Sequence, residues 1–483
     1  MEEACKGLGG ALAARPAGAP VVALAFASRF FAGDLAAVAS ALEARLDGHG
    51  VDGGGRVAVA VLSGGVVGGN GYEREDGVTG ESATVAASLA DAAPSLGVWI
   101  GRLPPGSSAR GAGFPPDRGT PPRRNRGAWA EALFGGGAEP VDHARGFLVF
   151  ADTQARWLGR CTAALDAHYP EAVAVGGCAA RVDGATPALY LDGVAQAVGS
   201  TCVVALAGER LRVDAIASQG CAAVGGVHQV TGVEAGQVLT SLDGARPRAA
   251  IDAVRDGATD RERDLMRAQL LVGLRPSAAD RLLGRRGRGP ARGGDGPSDG
   301  PGDGGDWLVR QVIGLVPSIA RRMDWGSRMT GIDGSAGALQ ETDGLAVGAD
   351  LVEGDELRFH VRDAAAARAD LDLQLRRYAL ERAFAGGASA VGAPAAALVV
   401  QCVGRGAALF GESGHDSRVL AKALGPDVAL GGLFANGELG PVGAVVGAAE
   451  VDSHRKATHH HEYSTVVAVI STVPEAGGAD PSP

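Results

Sequence analysis

Three times along the chain an unbroken apolar run is followed by a segment with helical spacing and then by a second apolar run that ends in glycine. The first instance opens with "VVALAFAS" (21–28), after which Asp34 offers an N-cap to a helix whose Leu35, Val38, Leu42 and Leu46 share one face. "RVAVAVLSGGVVG" returns as a strand ending at Gly64 and Gly65, and "ATVAASLA" follows as a further strand. The second instance runs "GFLVFADT" (146–153), the helix "ARWLGRCTAALDAHY", "AVAVGGCAA" (172–180) and "STCVVALAG" (200–208). The third runs "AALVVQCVGRG" (396–406), a helix "DSRVLAKAL" capped by Asp416 and stopped at Gly425 and Pro426, "VALGGLFANGELG" and "YSTVVAVIS" (463–471). Leu357 to Val361 and the helix in "ADLDLQLRRYALERAF" add a strand and a helix ahead of this third copy.

A strand, helix and strand of this length make a crossover between parallel strands, and the trailing strand can pair antiparallel beside them. The near-continuous apolar runs, in place of an alternating pattern, mean that both faces of these strands are covered. The fold class is therefore α/β, with mixed sheets built from repeated strand-helix-strand-strand units. Two stretches break the pattern. Residues 103–127 and 285–306 are mostly glycine, proline and charge without apolar periodicity, so both are expected to be mobile, disordered insertions, and the tail over 473–483 reads the same way.

At 483 residues the chain exceeds what one core usually serves, and two domains are expected. Hydrophobic residues at 46% and charged residues at 21% are a globular composition. Most of the 77 glycines follow the same compositional bias that leaves lysine only at Lys6, Lys422 and Lys456, so a glycine counts only where its position has meaning. The net charge of -10 and the scattered arginines give no basic stripe, which argues against nucleic acid as a partner. No apolar run reaches spanning length and Glu2 and Glu3 spoil a signal peptide, so no membrane partner is expected and the location is expected to be cytoplasmic. Cys5, Cys161, Cys178, Cys202, Cys221 and Cys402 lie far apart without a C-x-x-C pair, as reduced thiols would.

Ligands of open α/β sheets collect beyond the carboxyl ends of the parallel strands. There the second copy places Gly176, Gly177 and Cys178, and the third places Cys402 to Arg405 and Asn436, Gly437 and Glu438. Small neighbours at these positions would let a ligand approach the backbone. A buried carboxylate at Glu438 needs a cation, backbone N–H groups, solvent or a ligand, and Arg405 is its expected partner. Two readings stay open for this pair: an ion pair bracing two turns, or part of a ligand site. Cys402 is either a small apolar filler or, beside a guanidinium, a reactive thiol, and Cys178 and Cys221 share that ambiguity. The histidines of "SHRKATHHHEY" (453–463) lack the spacing of a dedicated metal site, and Asp363, after His360 and Arg362, is read as a helix cap. No P-loop, G-x-S-x-G elbow or H-E-x-x-H helix occurs, so no catalytic residue is nominated and no cofactor or metal is expected.

These segments resemble the FIST family, the F-box and intracellular signal transduction proteins. The N-terminal FIST region, 20–247, is carried by "YPEAVAVGGCAARVDG", "ALAGERLRVDAIASQGCAAVGGVHQVT" and "VLTSLDGARP"; the C-terminal region, 248–472, by "GDELRFHVRDAAAARADL", "QCVGRGAALFG", "HDSRVLAKALG" and "LFANGELGPVG". The resemblance implies a sensory module that binds a small polar metabolite, such as an amino acid, in signalling. It carries over Cys402, Gly404, Arg405, Asn436, Gly437 and Glu438 as a signature surface, with Gly177, Cys178, Gln219, Gly220 and Cys221 as its N-terminal counterpart. The alternatives are an adaptor related to F-box ubiquitin-ligase subunits, presenting a protein partner, and an enzyme using Cys402 as nucleophile. Three features depart from the family pattern: the first glycine strand lacks a cysteine near its start, both insertions lengthen loops, and fewer than twenty-five residues precede the first strand where an F-box would need a few dozen.

Overall fold

The structure is a computed structural model that describes residues 19–48, 56–67, 73–75, 95–121, 124–135, 143–180, 186–275, 307–317, 343–447 and 456–474. The chain divides into two compact units, one of Met1–Ser218, Leu371–His460 and Ser464–Pro483, the other of Gln219–Asp370 with His461–Tyr463. These units cut across the two sequence regions, because the third copy folds with the first two.

In the first unit each copy forms a parallel pair joined by a helix. Val21–Ser28 lies beside Arg56–Ser63 with Leu35–Gly48 between them in sequence, Ala144–Ala151 beside Val173–Cys178 with Leu158–His168, and Pro394–Cys402 beside Ala429–Ala435 with His415–Leu424. An antiparallel strand flanks the first member of each pair: Leu96–Arg102, Thr201–Ala207 and Ser464–Thr472. Mixed sheets of this kind bear out the α/β expectation. The segment "ATVAASLA" lies outside the described residues, and Leu96–Arg102 takes the antiparallel place expected of it.

What joins the copies is a cyclic exchange of short strands. Beyond each parallel pair the chain continues into a strand that pairs antiparallel within another copy. Gly65–Val67 adds to Ala429–Ala435, Glu438–Gly440 adds to Val173–Cys178, and Leu189–Leu191 adds to Arg56–Ser63. Three backbone bonds fasten the crossing points: Gly64 N donates to Phe434 O at 2.9 Å, Asn436 N to Cys178 O at 3.0 Å, and Ala180 N to Leu62 O at 2.9 Å. One apolar cluster accordingly draws on all three copies, including Leu24, Val59, Leu148, Val175, Val400 and Leu433. Its strands are buried along nearly their whole length, which is why their sequences do not alternate.

Residues 103–127 differ from the expected disordered insertion. Ser108–Phe114 forms a strand in register with Thr201–Ala207, and Asn125 caps the helix Arg126–Phe134 through Ala128 N at 3.0 Å. Glycine and arginine give "SARGAGF" little strand propensity, so the neighbouring strand's backbone supplies what the side chains do not. Residues 285–306 and 475–483 lie outside the described residues.

The second unit is a closed barrel of Cys221–Glu234, Val238–Leu242, Asp343–Val347, Leu308–Pro317, Leu270–Arg275 and Glu356–Arg362. Val224, Leu239, Val272, Leu357 and Phe359 fill it. Closure leaves no free edge. Asp363 accepts from Ala365 N at 2.8 Å and so caps the helix Ala364–Phe384.

Candidate functional site

The crossing points of the first unit lie at the carboxyl ends of the parallel strands, where the sequence places its signature residues. Asn436 N bonds Cys178 O, Cys178 N returns a bond to Gly437 O at 2.8 Å, and Val403 N bonds Ala435 O at 2.9 Å. Glu438 is in register with Gly177. Cys402, Gly404, Arg405, Asn436, Gly437, Glu438, Gly177 and Cys178 therefore belong to one set of turns in the first unit. Gln219, Gly220 and Cys221 belong to the second unit: Gln219 N donates to Asp370 at 2.6 Å, Gly220 O accepts from Asp363 N, and Cys221 pairs with Arg362.

Arg405 has partners that the sequence did not name. Both side chains are fully buried, and Arg405 Nε donates to Asp416 Oδ2 at 2.6 Å. Its terminal nitrogens reach Ser218 O at 3.5 Å and Ser218 Oγ at 3.2 Å, and its guanidinium lies 5.7 Å from the ring centre of Phe410. Asp416 also accepts from Thr465 Oγ1 at 2.6 Å and faces His415 Nδ1 at 3.0 Å. Glu438 accepts from Ser464 N at 3.1 Å. Asp416 lies inside the first turn of His415–Leu424, with Gly414 at the cap, so it is an ion-pair partner and not the cap expected. Burial opposes its ionisation, but the Arg405 charge and the hydrogen bonds from His415, Arg405 and Thr465 outweigh it and hold the carboxyl below the usual range.

The glycines make room for protein atoms, which corrects the expectation that they open the backbone to a ligand. A Cβ on Gly177 would stand 2.6 Å from Val400 Cγ1 and 2.8 Å from Ala435 Cβ, and one on Gly64 would stand 2.5 Å from Val403 Cγ1. At Gly437 a side chain would run into the His460 imidazole, and its φ of +115° favours glycine in any case. Within the histidine run, His459–His461 is a strand with His459 and His461 buried. Thr458 anchors it by donating its N–H and hydroxyl to Asp166. Burial pushes the Asp166 carboxyl up to about 6, against the Thr458 bonds and the Lys456 charge.

Cys178 is a poor nucleophile, because burial, Glu438 and Asp152 push its thiol up to about 12. Cys402 is buried as well. Among the described residues no group of three His, Cys, Asp or Glu side chains is placed to hold a metal. His360, in the second unit, is buried against Trp307 and bonds Arg358 O through Nδ1 at 2.9 Å; burial lowers its pKa to about 4.

One residue of this site escaped the sequence reading. Gln401 is the penultimate residue of the strand Pro394–Cys402, fully buried, with Nε2 reaching Arg405 O at 3.5 Å and Oε1 without a hydrogen-bond partner among the described residues. The available signal was a polar residue inside the apolar run "LVVQC". Ser218 and Thr465 carried no such signal, because only folding brings them to Arg405.

Among the described residues no helix is long and apolar enough to cross a membrane. Residues 21–245 match the FIST N domain and residues 302–441 the FIST C domain. Two uncharacterised proteins of Mycobacterium tuberculosis and one of Mycobacterium bovis are each 30% identical to this chain over 227 residues. That match covers 47% of this chain, 46% of each M. tuberculosis protein and 45% of the M. bovis protein, so the chain matches less than half the length of these relatives. FIST domains are associated with signal transduction and small-ligand sensing. With both regions matched, the chain belongs to the FIST domain family.

Proposed function

We propose that this chain is a small-ligand-binding sensory protein of intracellular signalling, and that its ligand is an amino acid or a similar polar metabolite bound at the interlocked strand ends of the first unit. The observation that carries the reading is the sealed amide oxygen of Gln401. A buried acceptor left unpaired costs about 1–3 kcal/mol, and folded proteins retain such atoms mainly where a ligand, a water or a mechanism uses them. An ammonium or amide N–H of a bound metabolite would pair it. The exposed side chain of Asn436, at the neighbouring strand end, supplies a polar rim. Arg405, engaged with Asp416 and Ser218, holds the shape of the site from behind.

The test is a thermal-shift screen of amino acids and small polar metabolites against wild type, Gln401→Leu and Asn436→Ala. A ligand that binds only the folded state raises the melting temperature by mass action. Gln401→Leu fills the same space without the amide, so the unliganded protein should melt at or slightly above the wild-type temperature while the ligand-induced shift disappears. A panel that never shifts wild type, or that shifts Gln401→Leu equally, removes the assignment.

A further inference from the structure

The segment 103–127, which reads as a plain solvated insertion, forms one wall of a cleft in the first unit of about 570 Å³, within the size range of small-molecule sites. The wall is built rather than loose. Gly119 N closes a turn on Pro115 O at 3.0 Å, Gly119 sits at φ +70°, and Trp157 Nε1 donates to Pro116 O at 3.1 Å, so the indole clamps the turn from outside. Phe114, Ala132 and Leu191 give the cleft an apolar floor, drawn from a strand, a helix and a strand of another copy.

Three polar groups line the same space. Arg118 is the one charged side chain among the described lining residues; it is exposed and makes no ion pair with any described residue. The Thr120 hydroxyl is sealed and has no hydrogen-bond partner among the described residues. Gln196 stands over Gly113, where any side chain would collide with its amide oxygen, and donates through Nε2 to Val194 O at 3.1 Å. A guanidinium and a hydroxyl are both donors, and an arginine fork with an adjacent hydroxyl suits a carboxylate.

We propose that this cleft is a second binding site, specific for a small carboxylate with a compact apolar body. Arg118 takes the carboxylate through charge-assisted hydrogen bonds, Thr120 donates its hydroxyl to the same group, and the alkyl portion lies on Phe114 and Leu191. The site is separate from the Gln401 site, and its ligand needs no ammonium group.

Isovalerate is the probe, titrated into the full chain and followed by ligand-observed NMR, with isovaleramide as the uncharged isostere. Saturable binding of isovalerate is expected, with isovaleramide about tenfold weaker, since the charge-assisted bonds are lost. Arg118→Gln, on the surface and therefore neutral for folding, should weaken isovalerate about tenfold, and Thr120→Val by a smaller factor of about three. Gln401→Leu should leave isovalerate affinity unchanged. The proposal is overturned by an absence of saturable binding to wild type, by equal affinity of Arg118→Gln, or by equal affinity for the acid and the amide. Loss of binding in Gln401→Leu would show that the probe occupies the other site and would overturn it as well.

Discussion

The first unit and the second solve the problem of buried polar groups in opposite ways. The interlocked copies keep charge inside and pair it, with Arg405 on Asp416 and both fully buried. The barrel keeps its buried imidazole uncharged, with the His360 pKa lowered to about 4 by burial. The strands differ in parallel. Val21–Ser28 and Ala144–Ala151 are buried along nearly every residue, whereas Cys221–Glu234 exposes much of its length around Val224 and Val230. A unit made of sheets locked together on several sides must find partners within the protein for any polar group it needs. A single closed barrel has an outer face that water can serve.

Breaking the buried pair should give the largest effect. Arg405→Ala leaves the Asp416 carboxylate uncompensated, and about 3–5 kcal/mol of stability should be lost from the first unit, read as a lowered urea midpoint. Adding Asp416→Ala should recover part of that loss, and a double variant as unstable as the sum of the singles would deny the pairing its role.

Acidification should separate the units next. A histidine whose folded pKa of about 4 lies below its unfolded value near 6.5 makes the unfolded state take up the proton first. Its cost is absent above pH 6.5, grows as the pH falls, and levels off below about 4, where it reaches about 3 kcal/mol in the second unit. Asp166 has the opposite sign in the first unit: its folded pKa, raised to about 6, favours the fold at low pH, and that contribution is lost as pH rises through 6. Hydrogen exchange at pH 7 and pH 5, corrected for intrinsic rates, should show protection falling in the barrel more than around Asp166. His360→Gln should flatten the barrel's response, and an unchanged slope would sink this account.

Glycines offer a smaller contrast. Gly177→Ala should cost about 1–3 kcal/mol through overpacking against Val400 and Ala435, while Gly226→Ala in the barrel, with open space around its Cβ position, should change the melting temperature hardly at all. Equal effects would remove the claim that the interlock sets the glycine positions. The smallest expected change is Thr259→Ala, which deletes a capping box closed with Glu262 at the start of Asp260–Ala268 and should cost about 1 kcal/mol, confined to the second unit.

Much of this contrast was legible in the residues. The parallel pairs were visible in their unbroken apolar runs, the helices between them in their spacing, and the stop at Gly425 in the turn after Leu424. Partner identity was not legible. Nothing local pointed Arg405 to Asp416, eleven residues along the chain, or to Ser218, 187 residues away. Ser108–Phe114 was invisible for a related reason, since its strand state comes from the backbone of Thr201–Ala207 and not from its own side chains.

The sequence by itself determined the local choices, since apolar periodicity, caps and glycine stops act over a few residues and carry their own free energy. Only the tertiary structure decided which strand ends meet, because the cyclic exchange joins segments that no local preference connects. The same packing decided which polar atoms are matched and which, like the amide oxygen of Gln401, have no hydrogen-bond partner among the described residues.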